Sequence, residues 1–165
     1  MKMSTFTSAG LTLALSAALA MSPATQAMQL MFIKNIPGDS QVEGYTDWIV
    51  IESVQAVVNE GDCEEVAISK LQDSASLLLI AAASSGTLFN EIEIVNLQAG
   101  NPDEPDELVE TFNVKLSPAK ISSISLDAAS DDGRVSESIS LDTGALIFSP
   151  DTPDEFAVPC GKLKK

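Results

Sequence analysis

The sequence predicts a mainly β protein, an antiparallel β-barrel or two-sheet sandwich with one short α-helix. Three observations predict it. Short apolar stretches with a period of two recur along the chain, turn residues separate them, and a single interval changes to a run of helix formers. Roughly seven or eight strands with one helix describe a sandwich or barrel rather than an α/β fold. The chain carries neither an internal repeat nor a heptad pattern.

The first segment has to be set aside before fold reasoning. Lys2 precedes an apolar run over residues 9–20, broken only by Gly10, Thr12 and Ser16, and small residues follow. That is the plan of a secretory signal peptide, with cleavage expected after Ala27 (Thr25, Gln26, Ala27) or after Ala24 (Ser22, Pro23, Ala24). An apolar core of about a dozen residues is too short for a bilayer span, which takes roughly 20. The expected division is a signal peptide at 1–27 and one domain at 28–165, exported to the periplasm or beyond.

The elements follow in order. Residues 29–35 (QLMFIKN) are a short apolar strand that ends at the turn Pro37, Gly38, Asp39. From 48 to 58 the even positions Trp48, Val50, Val54, Ala56 and Val58 are apolar, Glu52 excepted, which predicts one long strand. Asn59, Glu60, Gly61 and Asp62 are turn residues, and 64–71 is another strand with Val66 and Ile68 on one face. Asp73 and Ser74 are N-cap candidates for a helix over 75–83 that Gly86 stops; it is apolar nearly all round, so its stripe Leu77 to Ile80 is expected in the core.

Strands 88–98 and 108–116 form a hairpin, the second with Phe112, Val114 and Leu116 on one face. Residues 99–107 (AGNPDEPDE), with two prolines and four carboxylates, are expected to stay irregular and in water. Strands 120–126 and 135–141 pair next, Val135, Ile139 and Leu141 inward and Ser136, Ser138 and Ser140 outward, and a last strand at 145–148 precedes a proline-broken tail.

Composition narrows function. With 24 acidic residues against 9 basic and a net charge of −15, the chain repels nucleic acid and anionic lipid, and self-assembly would depend on salt. There is no histidine, which removes imidazole-activated nucleophiles and the common zinc and iron sites, and no glycine-rich phosphate loop occurs. The pairs Glu91/Glu93 and Asp131/Asp132 read as the wet face of a strand and a turn tip rather than as glycosidase acids. No catalytic residue, cofactor or metal site is therefore assigned. Calcium is the stronger polar alternative, since Asp103, Glu104, Asp106 and Glu107 crowd one loop and Asp127, Asp131 and Asp132 another, although neither has EF-hand spacing. Cys63 and Cys160 are the only cysteines, and in an exported chain they read as one disulfide, for which chain entropy suggests about 4 to 5 kcal/mol.

Several stretches then resemble the Hcp family of type VI secretion tube proteins over roughly residues 31–156. Met31, Phe32, Ile33 and Lys34 with Gly38, Asp39 and Ser40 are similar to that family's first strand and its glycine-acid-serine turn. Ile68, Ser69 and Lys70, then Asp73 to Leu77, then Ala81 to Ala83 and Gly86, are similar to its strand, short helix and glycine exit. Val114 to Leu116, Ile121 to Ser125, Glu137 to Leu141, and Ile147 with Phe148 resemble its later strands. The resemblance implies a two-sheet barrel with one helix at its side, hexameric rings that stack into a secretion tube, no enzymatic activity, and partners that are the chain itself, apparatus proteins or cargo. This chain departs from the pattern in its signal segment, in its disulfide, and in carrying Glu43 to Asp47 where the family's early loop usually has a histidine. Contact residues are expected in two loops, at Gly38, Asp39 and Ser40 and at Asp103, Glu104 and Asp106. The competing reading is an exported acidic binding module, calcium-stabilised, that kept the fold without the tube.

Overall fold

A computed structural model describes residues 27–59, 62–101, 104–128, 133–161 and 163. The signal segment expected at 1–27 therefore lies, apart from Ala27, outside the described residues. The strands are β1 (Met28–Ile33), β2 (Ile49–Ile51), β3 (Ser53–Gln55), β4 (Val58–Asn59), β5 (Asp62–Cys63), β6 (Val66–Leu71), β7 (Leu88–Phe89), β8 (Ile92–Asn101), β9 (Glu104–Leu116), β10 (Ala119–Asp127), β11 (Ser136–Thr143), β12 (Ala145–Phe148) and β13 (Phe156–Pro159), and the helix is α1 (Ser76–Ser85). Sheet A has the order β13-β12-β9-β8-β1-β2 and sheet B the order β3-β6-β11-β10-β7; β4 and β5 form a separate ribbon. Every strand pair is antiparallel. The fold class is the one expected, mainly β with a single short helix.

Alternation along the strands builds the core. Met31, Ile33, Ile49, Ile51, Ile92, Ile94, Val114, Leu116 and Leu146 from sheet A meet Val66, Ile68, Ile121, Ile139 and Leu141 from sheet B. Each such side chain contributes about 1.5 to 3 kcal/mol on leaving water. Leu79 and Ala82 of α1 join the same cluster, and α1 packs beside β10.

Residues 48–58 are not one strand. Ile49 and Ile51 point inward in β2 while Val50 is exposed, and Val54 turns toward the core in β3. The parity reverses at Glu52, whose N–H donates to Ser69 O at 2.8 Å. The chain crosses there from sheet A to sheet B, and the charged exception in the apolar pattern marks the corner. In the same way residues 88–98 divide at Asn90 and Glu91 into β7 of sheet B and β8 of sheet A.

Two segments expected to be irregular are strand. Glu104 to Glu107 belong to β9, and the β8–β9 ladder reaches the pair Asn101↔Glu104. Its register shifts between Ala99 and Asn101, so Pro105 falls in the irregularity, where a missing N–H breaks no regular rung. Likewise Phe156–Pro159 in the proline-broken tail forms β13 on the edge of sheet A, a place where proline is tolerated.

Candidate functional site

The structure brings one of the two expected contact loops, with Gly38, Asp39 and Ser40, against the entry of the helix. Gly38 lies against the start of β2: a Cβ there would stand 2.5 Å from Ile49 Cα and Trp48 O. That approach lets Gly38 N–H donate to Asp47 O at 2.7 Å and Ser40 N–H to Trp48 O at 3.0 Å, closing the loop on itself. Ser40 is buried, and its hydroxyl accepts from Val42 N–H. Asp39 is exposed and reaches across to the helix entry, where its carboxylate accepts the Ser74 hydroxyl at 2.6 Å and the Ser74 N–H at 3.3 Å. The Ser74 hydroxyl, then its N–H, hold the Asp39 carboxyl below the usual carboxylate range.

The loop also covers the second face of sheet A. Leu30, Val95 and Leu97 form a small cluster there, roofed by Met28, Val42, Tyr45 and Trp48. Trp48 packs on Phe32 at 5.3 Å between ring centres and on Tyr45 edge-on at 5.0 Å. The Tyr45 hydroxyl donates to Glu110 Oε2 at 3.1 Å. Burial pushes the Tyr45 phenol above its ordinary value, and the Glu110 hydrogen bond pushes it the same way.

Beneath the helix entry lies a polar knot that the sequence reading did not anticipate. Lys70 Nζ is fully buried and donates to Glu137 Oε2 at 2.9 Å, Asp73 Oδ1 at 2.7 Å, Leu71 O at 2.7 Å and Ser76 Oγ at 3.3 Å. Lys70 and Glu137 are cross-strand partners of β6 and β11. Asp73 Oδ1 accepts Ala75 N–H, and Ser76 Oγ accepts Asp73 N–H. The N-cap position itself is Ala75, without a side-chain cap; of the two expected cap residues Asp73, two positions earlier, accepts the Ala75 N–H, and Ser74 is engaged by Asp39 instead. At the other end Gly86, at φ 63°, stops the helix as expected.

The helix departs from expectation in what it hides. Leu79 is buried, but Leu77 is 76% exposed and Leu78 44%. Only one side of α1 meets the sheets, and because nearly every residue is apolar the outer side is apolar too. A groove of about 850 Å³ runs beside it, lined by Phe32, Ile36, Leu78, Ala81, Leu88 and Phe89, with Lys34 and Glu91 also on its wall. Leu88 is 58% exposed. This is an exposed apolar surface of the kind that marks a protein contact.

Of the second expected contact loop, Asp103 lies outside the described residues, and Glu104 and Asp106 take part in β9 through their backbone. Cys63 and Cys160 are joined as expected, with Cα atoms 4.7 Å apart, tying β5 to the residue after β13. Among the described residues no group of three or more acidic or cysteine side chains is arranged to hold a metal ion. Among them, too, no helix is long and apolar enough to cross a membrane.

Comparison with solved structures returns this same architecture. The Hcp1 protein of Salmonella typhimurium superposes with a TM-score of 0.68 at 14% identity, covering 79% of this chain and 91% of that one. Hcp2 of Salmonella typhimurium gives 0.67 at 16% identity, covering 84% and 99%. The secreted protein Hcp3 of Pseudomonas aeruginosa gives 0.66 at 17% identity, covering 84% and 100%. No curated protein sequence matches this chain. At such identities the structures speak for the fold, and kinship rests on the family model for the type VI secretion system effector Hcp, which matches residues 30–144. Most of the early strand, the helix with its glycine exit and the β10–β11 pair fall inside that match, and the chain belongs to the Hcp family of type VI secretion proteins.

Proposed function

We propose that this chain is an exported, non-catalytic structural or carrier protein that assembles with copies of itself into six-membered rings, in the manner of a type VI secretion tube, and takes other apparatus proteins or cargo as partners. The observation that carries the reading is the combination of an Hcp-family barrel with an exposed apolar outer face, Leu77 and Leu78 on α1 and Leu88 on β7, that a neighbouring copy would cover. The loop of Gly38, Asp39 and Ser40 stands beside the helix entry and would set the angle at which a neighbour approaches. Asp103, with Glu104 and Asp106 at the start of β9, is the second contact proposed. Residues 1–27 serve as the signal segment and leave on export, so the working form begins at Met28 in the periplasm or outside the cell.

The test is light scattering coupled to size exclusion on protein recovered from the periplasm after expression with its own leader. A chain of net charge −15 repels its copies, so a six-fold mass is expected at high salt and a smaller one at low salt. Leu78→Glu should return the mass to one chain without loss of folded structure. Intact mass spectrometry of the same sample should show Met28 at the N-terminus. A single-chain mass at every salt concentration would overturn the ring.

A further inference from the structure

Strand β13 closes one edge of sheet A yet buries almost nothing. Phe156, Ala157 and Pro159 are exposed, and only Val158 is half-buried. Its ladder to β12 has four residue pairs, from Ala145↔Pro159 to Phe148↔Phe156, and Pro159 brings no N–H to it. One more backbone bond follows, from Cys160 N–H to Gly144 O at 2.8 Å. A strand this short, with Val158 as its one side chain against the core, is weakly held by itself, because hydrogen bonds made in exchange for water contribute little each. What holds it is covalent, the bond from Cys160 to Cys63.

The two sulfurs sit in unlike surroundings. Cys160 is 6% exposed and packs with the main core. Cys63 is half-buried and lines an open depression of about 520 Å³ together with Gln55, Val57, Glu64 and Glu65. A small thiol can therefore reach Cys63 but not Cys160. Both β12 and β13, with Cys160, follow residue 144, where the match to the family ends.

We propose that the Cys63–Cys160 disulfide is a redox latch on the edge of sheet A. While it is closed, β13 covers β12; once it is reduced, residues 156–161 leave the sheet and β12 becomes an open edge, while Ser149 and Asp151 stay tied to β9 through Asn113 O and Lys115. The electrons come from a dithiol reductant. Its thiolate attacks Cys63 Sγ, the bond to Cys160 Sγ breaks, and Cys160 leaves as a thiolate that takes up a proton. The reductant's second thiol then loses its proton and displaces Cys63 in the same way, so the reductant ends as a cyclic disulfide and the protein as two thiols. Glu64 and Glu65 beside the point of attack repel an incoming thiolate, so opening should quicken as salt is raised. An unpaired strand edge is a template for pairing with another chain, and the latch confines that state to reducing conditions. The inference does not depend on ring assembly.

Hydrogen–deuterium exchange on the full chain, oxidised and after treatment with dithiothreitol, tests it. Amides of residues 145–148 and 156–158 should exchange at least about ten-fold faster after reduction, while those pairing β8 with β9 and β10 with β11 keep their rates. The Cys63→Ser/Cys160→Ser double variant should reproduce the pattern with no reductant. No change at β12 and β13 would overturn the latch, and so would equal acceleration in every strand or a double variant that fails to fold, since either makes the bond a general staple.

Discussion

Replacing Lys70 by Met removes the centre of the buried polar knot while keeping an unbranched side chain of similar reach, so the packing volume changes little. The loss is electrostatic. Glu137 is fully buried, its Oε2 takes its hydrogen bond from Lys70 at 2.9 Å, and its Oε1 has no hydrogen-bond partner. Lys70→Met thus leaves a carboxylate in the core with no compensating charge, a change that costs about 3 to 5 kcal/mol. The reverse deletion is milder, because in Glu137→Leu the ammonium still holds Asp73, Leu71 O and Ser76, and about 1 to 3 kcal/mol is expected. The double variant should cost about 2 kcal/mol less than the two singles together, since neither charge is then stranded. Guanidinium chloride unfolding of the oxidised protein reads this, followed by far-UV circular dichroism and by the fluorescence of Trp48, the single tryptophan. A cost below about 1 kcal/mol for Lys70→Met, or additive singles, would refute the claim that the pair ties β6 to β11.

Tyr45 is the single tyrosine, so the tyrosinate absorbance titrates one group. Burial and then Glu110 raise its pKa, so the folded state favours the neutral phenol; that stabilisation is present below the unfolded pKa and is lost as pH rises through the folded one. The midpoint should lie above that of free tyrosine, at about 10, and Glu110→Gln should bring it down; a midpoint at the free value would place Tyr45 in open water. Gly38→Ala puts a methyl 2.5 Å from the backbone of Trp48 and Ile49, which cannot yield as a side-chain tip can. It should destabilise by about 1 to 3 kcal/mol and shift Trp48 emission, whereas an unchanged midpoint and spectrum would mean the loop stands off from β2.

Much of the architecture was legible because it depends on local chemistry. Alternation in β6 and β11, the glycine after α1, and turn residues between strands report on the chain's own geometry and need no knowledge of its neighbours. The two cysteines paired as expected because two cysteines allow a single connectivity within the chain. The order of word-like stretches pointed to the Hcp family, and the family match covers all of them but Ile147 and Phe148.

What composition and spacing could not reach was decided by which surfaces meet. A charged residue in a strand reads the same whether it faces water or, like Glu137, a lysine across the sheet, because the partner is 67 residues away. The apolar stripe of α1 could not show which of its leucines the sheets would cover, and the answer, Leu79 inside and Leu77 and Leu78 outside, is fixed by the side on which β10 lies. Prolines at 105 and 159 argued against strands, but a bulge and a sheet edge each tolerate a missing N–H. The β class, the acidity, the lack of histidine and the likeness to the Hcp family could all be read from the order of residues. Where the chain changes sheets, which charges are buried and which apolar face stays exposed came from the folded arrangement, since these depend on contacts between segments far apart in the chain.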